Sequence, residues 1–404
     1  MLDYTLIREH CQKSSSLSKS VIDEFLLHYA AHHDRLDREF ESRISRFKNA
    51  ERGMPANWYG LIKAQYIGHR IFKPGGLIRK YLNHAALKDL DSEQQNYLRQ
   101  TAVYPWKFSF SQIIAKPERD FYEMEDVFSG EVYLLYSQSV TQISSEHSVL
   151  LWFNLIGFNG SCWQTYGPVG NFQCFDADDI FFYATEFNRA IESEDDLIED
   201  VENSPVPYMM LMTGSNYPLI RNGEHEVLQV IGEHPSSGFD TKEMKKSFRV
   251  EYAEPVFRIS HKIWSEPPHF AEAYYNEERG ILFISALTDH GYLELTKVLN
   301  KKGFNLPGDP DIRLHLPMIT VMKNLLQKDL VLNPYSVCFE KKAEPESDLL
   351  MGTLNRLLAL ALPYINSGQE PNVDALAKEA GVDPETAKQL LRKSMDRINK
   401  LRKK

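Results

Sequence analysis

Apolar positions in the first hundred residues recur at helical spacing. Val21, Phe25, Tyr29 and Leu36 follow one another through a strongly charged stretch that runs to about residue 52. Shorter helical patterns follow, separated by a Pro-Gly-Gly run and an Asp-Ser pair, over residues 58–72, 77–87 and 92–101. The pattern therefore predicts a helical region over residues 1–101.

From about residue 104 the apolar pattern changes to a period of two, which is typical of strands. Phe108 and Phe110 alternate with serines, and two further runs flank the Ser129-Gly130 turn. The very apolar run 149–158 ends at Asn159-Gly160, a hairpin-turn signal. Residues 176–179 then predict the start of a helix. Residues 102–200 are expected to form an antiparallel β unit closed by a helix, with the acidic run 192–202 as a surface segment or linker.

Residues 201–342 predict a second α+β unit. A helix over 289–300 and a helical stripe over 316–327 follow its strands. The predicted strands are 208–212, 226–231, 248–252, 256–260, 271–275 and 280–285. A polar, proline-containing linker near residues 340–348 ends this unit.

The last predicted unit, residues 347–404, begins with a very apolar helix that ends near Ile365. Asn372 can cap a second helix, and Gly381 supplies the left-handed backbone that ends it. Asp383-Pro384 then restarts the chain as a third helix. The expected fold class is thus α+β: an N-terminal helical region, central mostly antiparallel β domains with flanking helices, and a C-terminal three-helix module.

The run Leu376-Ala-Lys-Glu-Ala-Gly-Val-Asp-Pro-Glu-Thr-Ala387 resembles the DNA-reading headpiece of the lac repressor family. The run typical of that family is Val-Ala-x-x-Ala-Gly-Val-Ser-x-x-Thr-Val, and the resemblance covers residues 373–391 only. It implies a helix-turn-helix-like module that binds duplex DNA. The nucleic-acid-binding residues would be Thr386, Lys388, Gln389, Arg392 and Lys393.

Charge and apolar pattern leave two functions open. The whole chain carries −10, so its body is not an electrostatic nucleic-acid binder, but residues 388–404 hold eight basic side chains and one acidic. Asp383 and Glu385 place two carboxylates where the predicted DNA-reading helix would meet the phosphates, where basic side chains are expected. Leu391, Met395, Ile398 and Leu401 form an apolar stripe that is equally typical of an association helix. The alternatives are a nucleic-acid-binding or regulatory protein and a non-enzymatic interaction protein that forms a homodimer.

Compartment is indicated by the cysteines and by the apolar runs. Four scattered cysteines without a Cys-x-x-Cys pair favour neither a disulfide framework nor a zinc site, so a reducing compartment is expected. The N-terminus lacks an apolar signal core, and no apolar run approaches the length of a membrane span. The sequence therefore predicts a cytoplasmic protein without a membrane partner.

Signals for catalysis are weak. The glycine pairs lack the Lys-Ser/Thr of a phosphate loop, and no serine or cysteine lies in a nucleophile elbow. The histidines of the second β unit are expected mostly at surface or turn positions: His225, His234, His261, His269, His290 and His315. No catalytic residue, cofactor or metal is predicted, and an enzyme is the third possibility. The aromatic residues Phe108, Phe110, Trp152 and Trp163 are expected to be buried in one cluster.

Overall fold

The structure, a computed structural model, divides into two compact units, residues 1–333 and 334–404. It describes all residues except 1, 48–55, 88–89, 215–220, 223–224, 237–238, 262–266, 341–351, 353–354, 362–363, 365–370 and 393–404. The first unit combines a helical layer, a closed barrel and an open sheet.

Helices fill the N-terminal hundred residues, as the sequence predicts. They are α1 (Tyr4–Ser18), α2 (Leu27–His33), α3 (Leu36–Ile44), α4 (Ala56–Phe72), α5 (Ile78–Tyr81) and α6 (Ser92–Val103). Asp3 begins α1 because its carboxylate accepts hydrogen bonds from two backbone N–H groups of the first turn. Asp91 and Gln94 begin α6 with a capping box. A π-helical segment, Lys19–Leu26, joins α1 to α2.

Five strands close into a barrel in the middle of the first unit. They are β1 (Lys107–Glu118), β2 (Phe121–Asp126), β3 (Val132–Tyr136), β4 (Leu151–Phe158) and β5 (Trp163–Phe172). Their order around the barrel is β1-β2-β3-β5-β4, and only β3 and β5 pair in parallel. Helix α7 (Gln138–Glu146) lies between β3 and β4 in the chain. The predicted turns are confirmed: Gly130 and Gly160 have φ of +68° and +95°.

Residues 108–111 of β1 and 151–156 of β4 are buried on both faces of the barrel wall. Outward Phe108 and Phe110 stack on Phe153 at ring-centroid distances of 5.0 and 4.4 Å and join the helical core. Trp152 faces inward and packs with partly buried Trp163 in the barrel interior. The prediction of one aromatic cluster is therefore wrong. Successive side chains point to opposite faces of a strand, and here both faces are covered.

The strand order, with a helix between the third and fourth strands, is the topology of the OB-fold. OB-folds bind oligonucleotides through the face of strands 2 and 3 and through the β1–β2 and β4–β5 loops. In this chain, α1 covers that end of the barrel. Arg8 on α1 forms an ion pair of 2.9 Å with Asp120 in the β1–β2 loop. Cys11 on the same helix contacts Cys162 at the end of the β4–β5 loop.

The remaining part of that barrel face is acidic. Glu123 and Glu125 are exposed on β2, and Val132 is exposed beside them on β3. Carboxylates repel nucleic-acid phosphates, so this face does not have the charge that an oligonucleotide site needs.

Three helices follow the barrel, and two of them differ from the sequence-based expectation. They are α8 (Ala177–Phe187), α9 (Glu194–Asn203) and α10 (Val206–Leu211). The acidic run 192–202 forms α9, capped by Ser193 and buried through Leu197 and Val201. Residues 208–212, predicted as a strand, lie in buried α10 and the 3₁₀ turn after it. A short apolar run does not distinguish a buried helix from a strand, and Pro207 fits the first helical turn.

The second sheet of the first unit is antiparallel, with strand order β13-β8-β12-β11-β10-β9. Its strands are β8 (Leu228–Pro235), β9 (Phe248–Ala253), β10 (Val256–His261), β11 (Ala271–Asn276), β12 (Ile281–Ala286) and β13 (Ile312–His315), and a short ribbon of β6 (Arg221–Asn222) and β7 (His225–Glu226) precedes it. Helices α11 (Thr241–Ser247) and α12 (Asp289–Asn300) contribute Met244, Tyr292 and Leu295 to its core. Leu314 of β13 and Met318 of α13 (Pro317–Val321) instead join the core of the helical layer.

In the second unit, the described helices are α14 (residues 355–361), α15 (Val373–Ala380) and α16 (residues 384–392). The fold is α+β with antiparallel sheets, as predicted. Among the described residues, no helix has both the length and the apolar character to cross a membrane. Of the predicted linker, residues 340–348, all but Glu340 lie outside the described residues.

Candidate functional site

The three C-terminal helices share one small apolar core. Leu357 and Ala361 of α14 pack with both later helices. From α15 and α16 the core takes Leu376, Ala377, Ala380, Ala387 and Leu391. The small alanines let the helix axes approach closely, which is how a module of this size buries its apolar stripe.

A glycine turn fixes the angle between α15 and α16. Gly381 has φ of +75°, and the backbone N–H of Val382 donates to the carbonyl of Ala377 at 2.9 Å. The prediction of a left-handed Gly381 between two helices is confirmed. Asp383 caps α16, since its carboxylate accepts from the Thr386 backbone N–H at 2.9 Å and from the Thr386 hydroxyl at 3.0 Å. The backbone hydrogen bond from Thr386 lowers the pKa of Asp383, so the cap is charged.

The predicted nucleic-acid-binding residues lie on the surface of α16, but they are not equally available. Thr386, Lys388, Gln389 and Arg392 are exposed, whereas Lys393 lies outside the described residues. The Thr386 hydroxyl already binds Asp383. The Lys388 ammonium lies 3.3 Å from carboxylate oxygens of both Asp374 and Glu385.

Gln389 and Arg392 form the open part of this surface. They stand one helical turn apart, on the side of α16 opposite the buried stripe of Ala387 and Leu391. A glutamine amide and a guanidinium in this position can each offer two hydrogen bonds to one partner.

A cleft of about 680 Å³ opens between the N-terminal helices and the barrel. Its size is in the range of small-molecule sites, and both aromatic and polar side chains line it. The lining includes Asp23, Asp37, Tyr97, Trp106, Gln164 and Tyr166. These side chains come from five separate stretches of chain, so no local motif could have predicted the cleft.

Carboxylates set the charge of this cleft. Asp23 accepts a hydrogen bond of 2.8 Å from the Tyr166 hydroxyl. Burial, with the neighbouring charge of Asp23, raises the pKa of Tyr166, so this hydroxyl stays protonated as a donor. Lys63 also lines the cleft, but its ammonium is 3.3 Å from Glu41. The cleft therefore favours neutral or cationic molecules over anions.

A buried ion-pair cluster joins α8 to the edge strand β13. Asp179 accepts hydrogen bonds from the backbone N–H of His315 at 2.8 Å and from its Nδ1 at 2.7 Å. The Nε2 of His315 lies 3.1 Å from Glu226, and Asp179 also accepts from the Asp176 backbone N–H at 3.0 Å. Since both ring nitrogens face carboxylates, the geometry is that of an imidazolium.

The charge on this imidazole follows from its neighbours. Burial opposes the charge of His315, but the hydrogen bond to Asp179 and the charges of Asp179 and Asp176 outweigh it and raise the His315 pKa to about 9. Burial raises the Asp179 pKa to about 7, against the hydrogen bond from His315. The His315 ring therefore stays protonated well above its ordinary range.

Among the described residues, Asp176, Asp179 and His315 are the group whose ligand atoms lie close enough to hold a metal ion. Their oxygens and nitrogens are already engaged with one another, so a metal ion would have to replace three hydrogen bonds to Asp179. The arrangement fits a structural ion pair better than a metal centre.

The expectation that the histidines of this region lie mostly at the surface is wrong for two of them. His315 is buried in the cluster, and His234 is buried with its Nε2 at 3.0 Å from the Tyr292 hydroxyl. Asp179 precedes His315 by 136 positions, a separation that hides the pairing from local sequence patterns.

Comparison with known proteins finds no match among protein-family models, curated proteins or solved structures. The OB-fold order of the barrel rests on strand topology alone, and the resemblance of residues 373–391 to the lac repressor family stays a prediction from the sequence.

Replacing His315 by Gln should destabilise the first unit by about 3 kcal/mol at pH 7, because it leaves Asp179 buried without a cationic partner. The folded pKa of about 9 lies above the ordinary value of 6.5. The stabilisation by the protonated ring is therefore complete below pH 6.5 and is lost as the pH rises through 9. Urea unfolding from pH 6 to 10 should show the difference between wild type and His315→Gln shrinking as the pH rises from 6.5 to about 9.

His147→Gln is the matched control, since the His147 side chain is 48% exposed and its Nε2 is 4.0 Å from Glu146. Its effect on the free energy of unfolding should be within about 0.5 kcal/mol at every pH. A cost of His315→Gln that does not change with pH would contradict the buried ion pair.

Proposed function

We propose that this protein binds nucleic acid through the exposed face of α16 and acts as a regulator whose larger unit carries a second binding site. One observation carries the proposal. Gln389 and Arg392 stand open on a helix whose position is fixed by the Gly381 turn and by a shared apolar core.

The two side chains suit this function chemically. A glutamine amide can pair with the edge of adenine, and arginine can pair with guanine or with backbone phosphate. The sequence beyond them adds cations, since Lys393, Arg397, Lys400 and the last three residues follow in a chain that is acidic elsewhere. Clustered cations gain affinity for nucleic acid through counterion release.

The loop end of the barrel is the other candidate site for nucleic acid, but its surface disfavours binding. The loops that OB-folds use are covered by α1, and Glu123 and Glu125 face outward. The C-terminal unit is therefore the better candidate for the interface.

Self-association remains the competing function for the C-terminal unit. Lys388 favours it, because Asp374 and Glu385 neutralise its charge and leave it less to offer a phosphate. The burial of Leu391 disfavours self-association, because this first residue of the predicted association stripe already packs in the unit's own core. Met395, Ile398 and Leu401 lie outside the described residues.

The cleft favours a second function, the binding of a cationic amine. Asp23 and Asp37 supply carboxylates, while Trp106 and Tyr166 supply aromatic surface for the cation and its methylene groups. A regulator that binds nucleic acid with one unit would use such a site in the other unit to sense a small molecule.

Duplex DNA binding should fall steeply with salt and should depend on Arg392. In fluorescence anisotropy over a series of KCl concentrations, Arg392→Ala should lower affinity and reduce the slope of log K against log salt by about 0.9, the value for one lost phosphate contact. Lys388→Ala should have the smaller effect, because its ammonium is already paired.

Arg189→Ala is the matched control, since the Arg189 side chain is 81% exposed on the other unit. It should leave both affinity and slope unchanged. Equal behaviour of Arg392→Ala and Arg189→Ala would contradict the proposed interface. Absence of DNA binding at low salt, together with a dimer on a sizing column, would favour self-association.

Spermidine should bind the cleft with a measurable heat in titration calorimetry, whereas adenosine monophosphate should not. Asp37→Asn removes one carboxylate and should weaken spermidine binding about tenfold, the worth of one charge-assisted hydrogen bond. Asp329→Asn is the control, because Asp329 is 78% exposed and does not line the cleft. Equal weakening by both substitutions would show non-specific attraction to the acidic surface instead.

A further inference from the structure

The sulfur atoms of Cys11 and Cys162 lie 3.2 Å apart, although the two residues are separated by 151 positions. Cys11 belongs to α1, and Cys162 ends the loop between β4 and β5. Both are buried, at 0% and 1% exposure, and none of the four cysteines forms a disulfide in the structure. A disulfide bond is about 2.05 Å long, so the sulfur atoms would have to approach by only about 1 Å.

We propose that Cys11 and Cys162 are a peroxide-sensitive dithiol that forms a disulfide and locks α1 onto the barrel. Neighbouring side chains hold both cysteines in place. The Nδ2 of Asn159 lies 3.3 Å from the Cys11 sulfur, while its Oδ1 accepts the backbone N–H of Cys162 at 3.0 Å. Gln164 donates to the Cys11 carbonyl at 3.1 Å and so holds the helix in register with the loop.

The two thiols have different roles in this step. The hydrogen bond from Cys162 lowers the pKa of Cys11, whereas the same contact and burial raise the pKa of Cys162. Geometry also favours Cys11 as the thiolate that attacks first, because the Asn159 Nδ2 lies 3.3 Å from its sulfur and 3.9 Å from that of Cys162, and Arg8 adds a favourable charge.

The oxidant is hydrogen peroxide or a small hydroperoxide. The Cys11 thiolate attacks a peroxide oxygen, the O–O bond breaks, and hydroxide leaves and is protonated to water, which gives a sulfenic acid on Cys11. The Cys162 sulfur then attacks the sulfenic sulfur of Cys11, and the S–O bond breaks. The hydroxide that leaves takes up the Cys162 proton and becomes a second water. Two thiols lose two electrons, and peroxide gains them to become two molecules of water.

A small oxidant has a short route to the pair. Asn159 and Gln164, which both contact Cys11, line the cleft between the helices and the barrel. Peroxide that enters the cleft is thus one layer of side chains from the sulfur atoms. Cys174 is buried elsewhere, in the core of the helical layer, and Cys338 is exposed in the second unit.

The disulfide would fasten a helix that covers the loops of the barrel. In the reduced protein, α1 is held there by the Arg8–Asp120 ion pair and by contacts of Phe121 and Tyr136. A covalent link would oppose any release of α1 and would keep this end of the barrel closed under oxidising conditions.

The test uses the full-length reduced protein, treated with hydrogen peroxide, quenched with N-ethylmaleimide and analysed by intact mass and peptide mapping. After the quench, the oxidised wild type should carry two fewer N-ethylmaleimide groups than the reduced protein, besides the loss of two hydrogens, and the map should show one linkage between the peptides that contain Cys11 and Cys162. Dithiothreitol should reverse the change. Hydrogen–deuterium exchange of residues 4–18 should be slower in the oxidised protein than in the reduced protein.

Cys11→Ser and Cys162→Ser should abolish the linkage, whereas Cys174→Ser, also at a buried position, and Cys338→Ser should retain it. The wild-type peptide map needs no variant, so it decides the matter even if a serine variant fails to fold. Oxidation confined to Cys338, over-oxidation of Cys11 with Cys162 left as a thiol, or no reaction at all would overturn the proposal.

Discussion

Closure of the five-stranded barrel is the constraint on which the rest of the first unit depends. Once β1 and β4 pair with both neighbours, their alternating side chains face two different environments: the outward phenylalanines are apolar, whereas Ser109, Ser111 and Asn154 point inward with Trp152 and Ile156. The inner set fills the barrel, while Phe108, Phe110 and Phe153 need an outer cover. The helices on either side of the barrel in the sequence supply that cover, so the two layers share one apolar core.

The same constraint creates the places where chemistry is possible. Straight helices cannot follow a curved barrel wall everywhere, and the cleft lies where the two surfaces diverge. The outer ends of β2 and β3, which the helical layer leaves open, are covered by α1 through polar and sulfur contacts instead of a large apolar core. A helix held in this way is the element most readily fastened or released by a change in chemistry.

The second sheet is tied to this core through charge as well as through apolar packing. Strand β13 belongs to the sheet, yet Leu314 packs with the helical layer and His315 pairs with Asp179 on α8. A buried ion pair adds little net stability over a well-packed apolar contact, but it tolerates only one register. It therefore fixes which edge of the sheet meets the helices.

Much of the fold could be predicted from local patterns, because the barrel hairpins, the N-terminal helices and the Gly381 turn depend on short-range periodicity and on single glycines. The predictions failed where one local pattern fits two structures. The buried run that forms α10 has the pattern of a strand, and the acidic run that forms α9 has the composition of a surface segment or linker.

The sites could be predicted much less well than the fold. The partner of His315 is Asp179, the partner of Cys11 is Cys162, and the cleft joins side chains from five stretches of chain. Each pairing arises only after the barrel closes, so no spacing in the sequence encodes it. On α16, by contrast, the sequence indicated which residues are exposed, but not that Asp374 would reach Lys388.

The claim that α16 is the nucleic-acid interface is tested most directly by hydrogen–deuterium exchange of the full chain with and without a saturating duplex DNA. The account predicts slower exchange over residues 384–392 and the Gly381 turn, with no change in β2, β3 or the walls of the cleft. Protection that appears on the barrel or in the cleft while residues 384–392 exchange as before would contradict it.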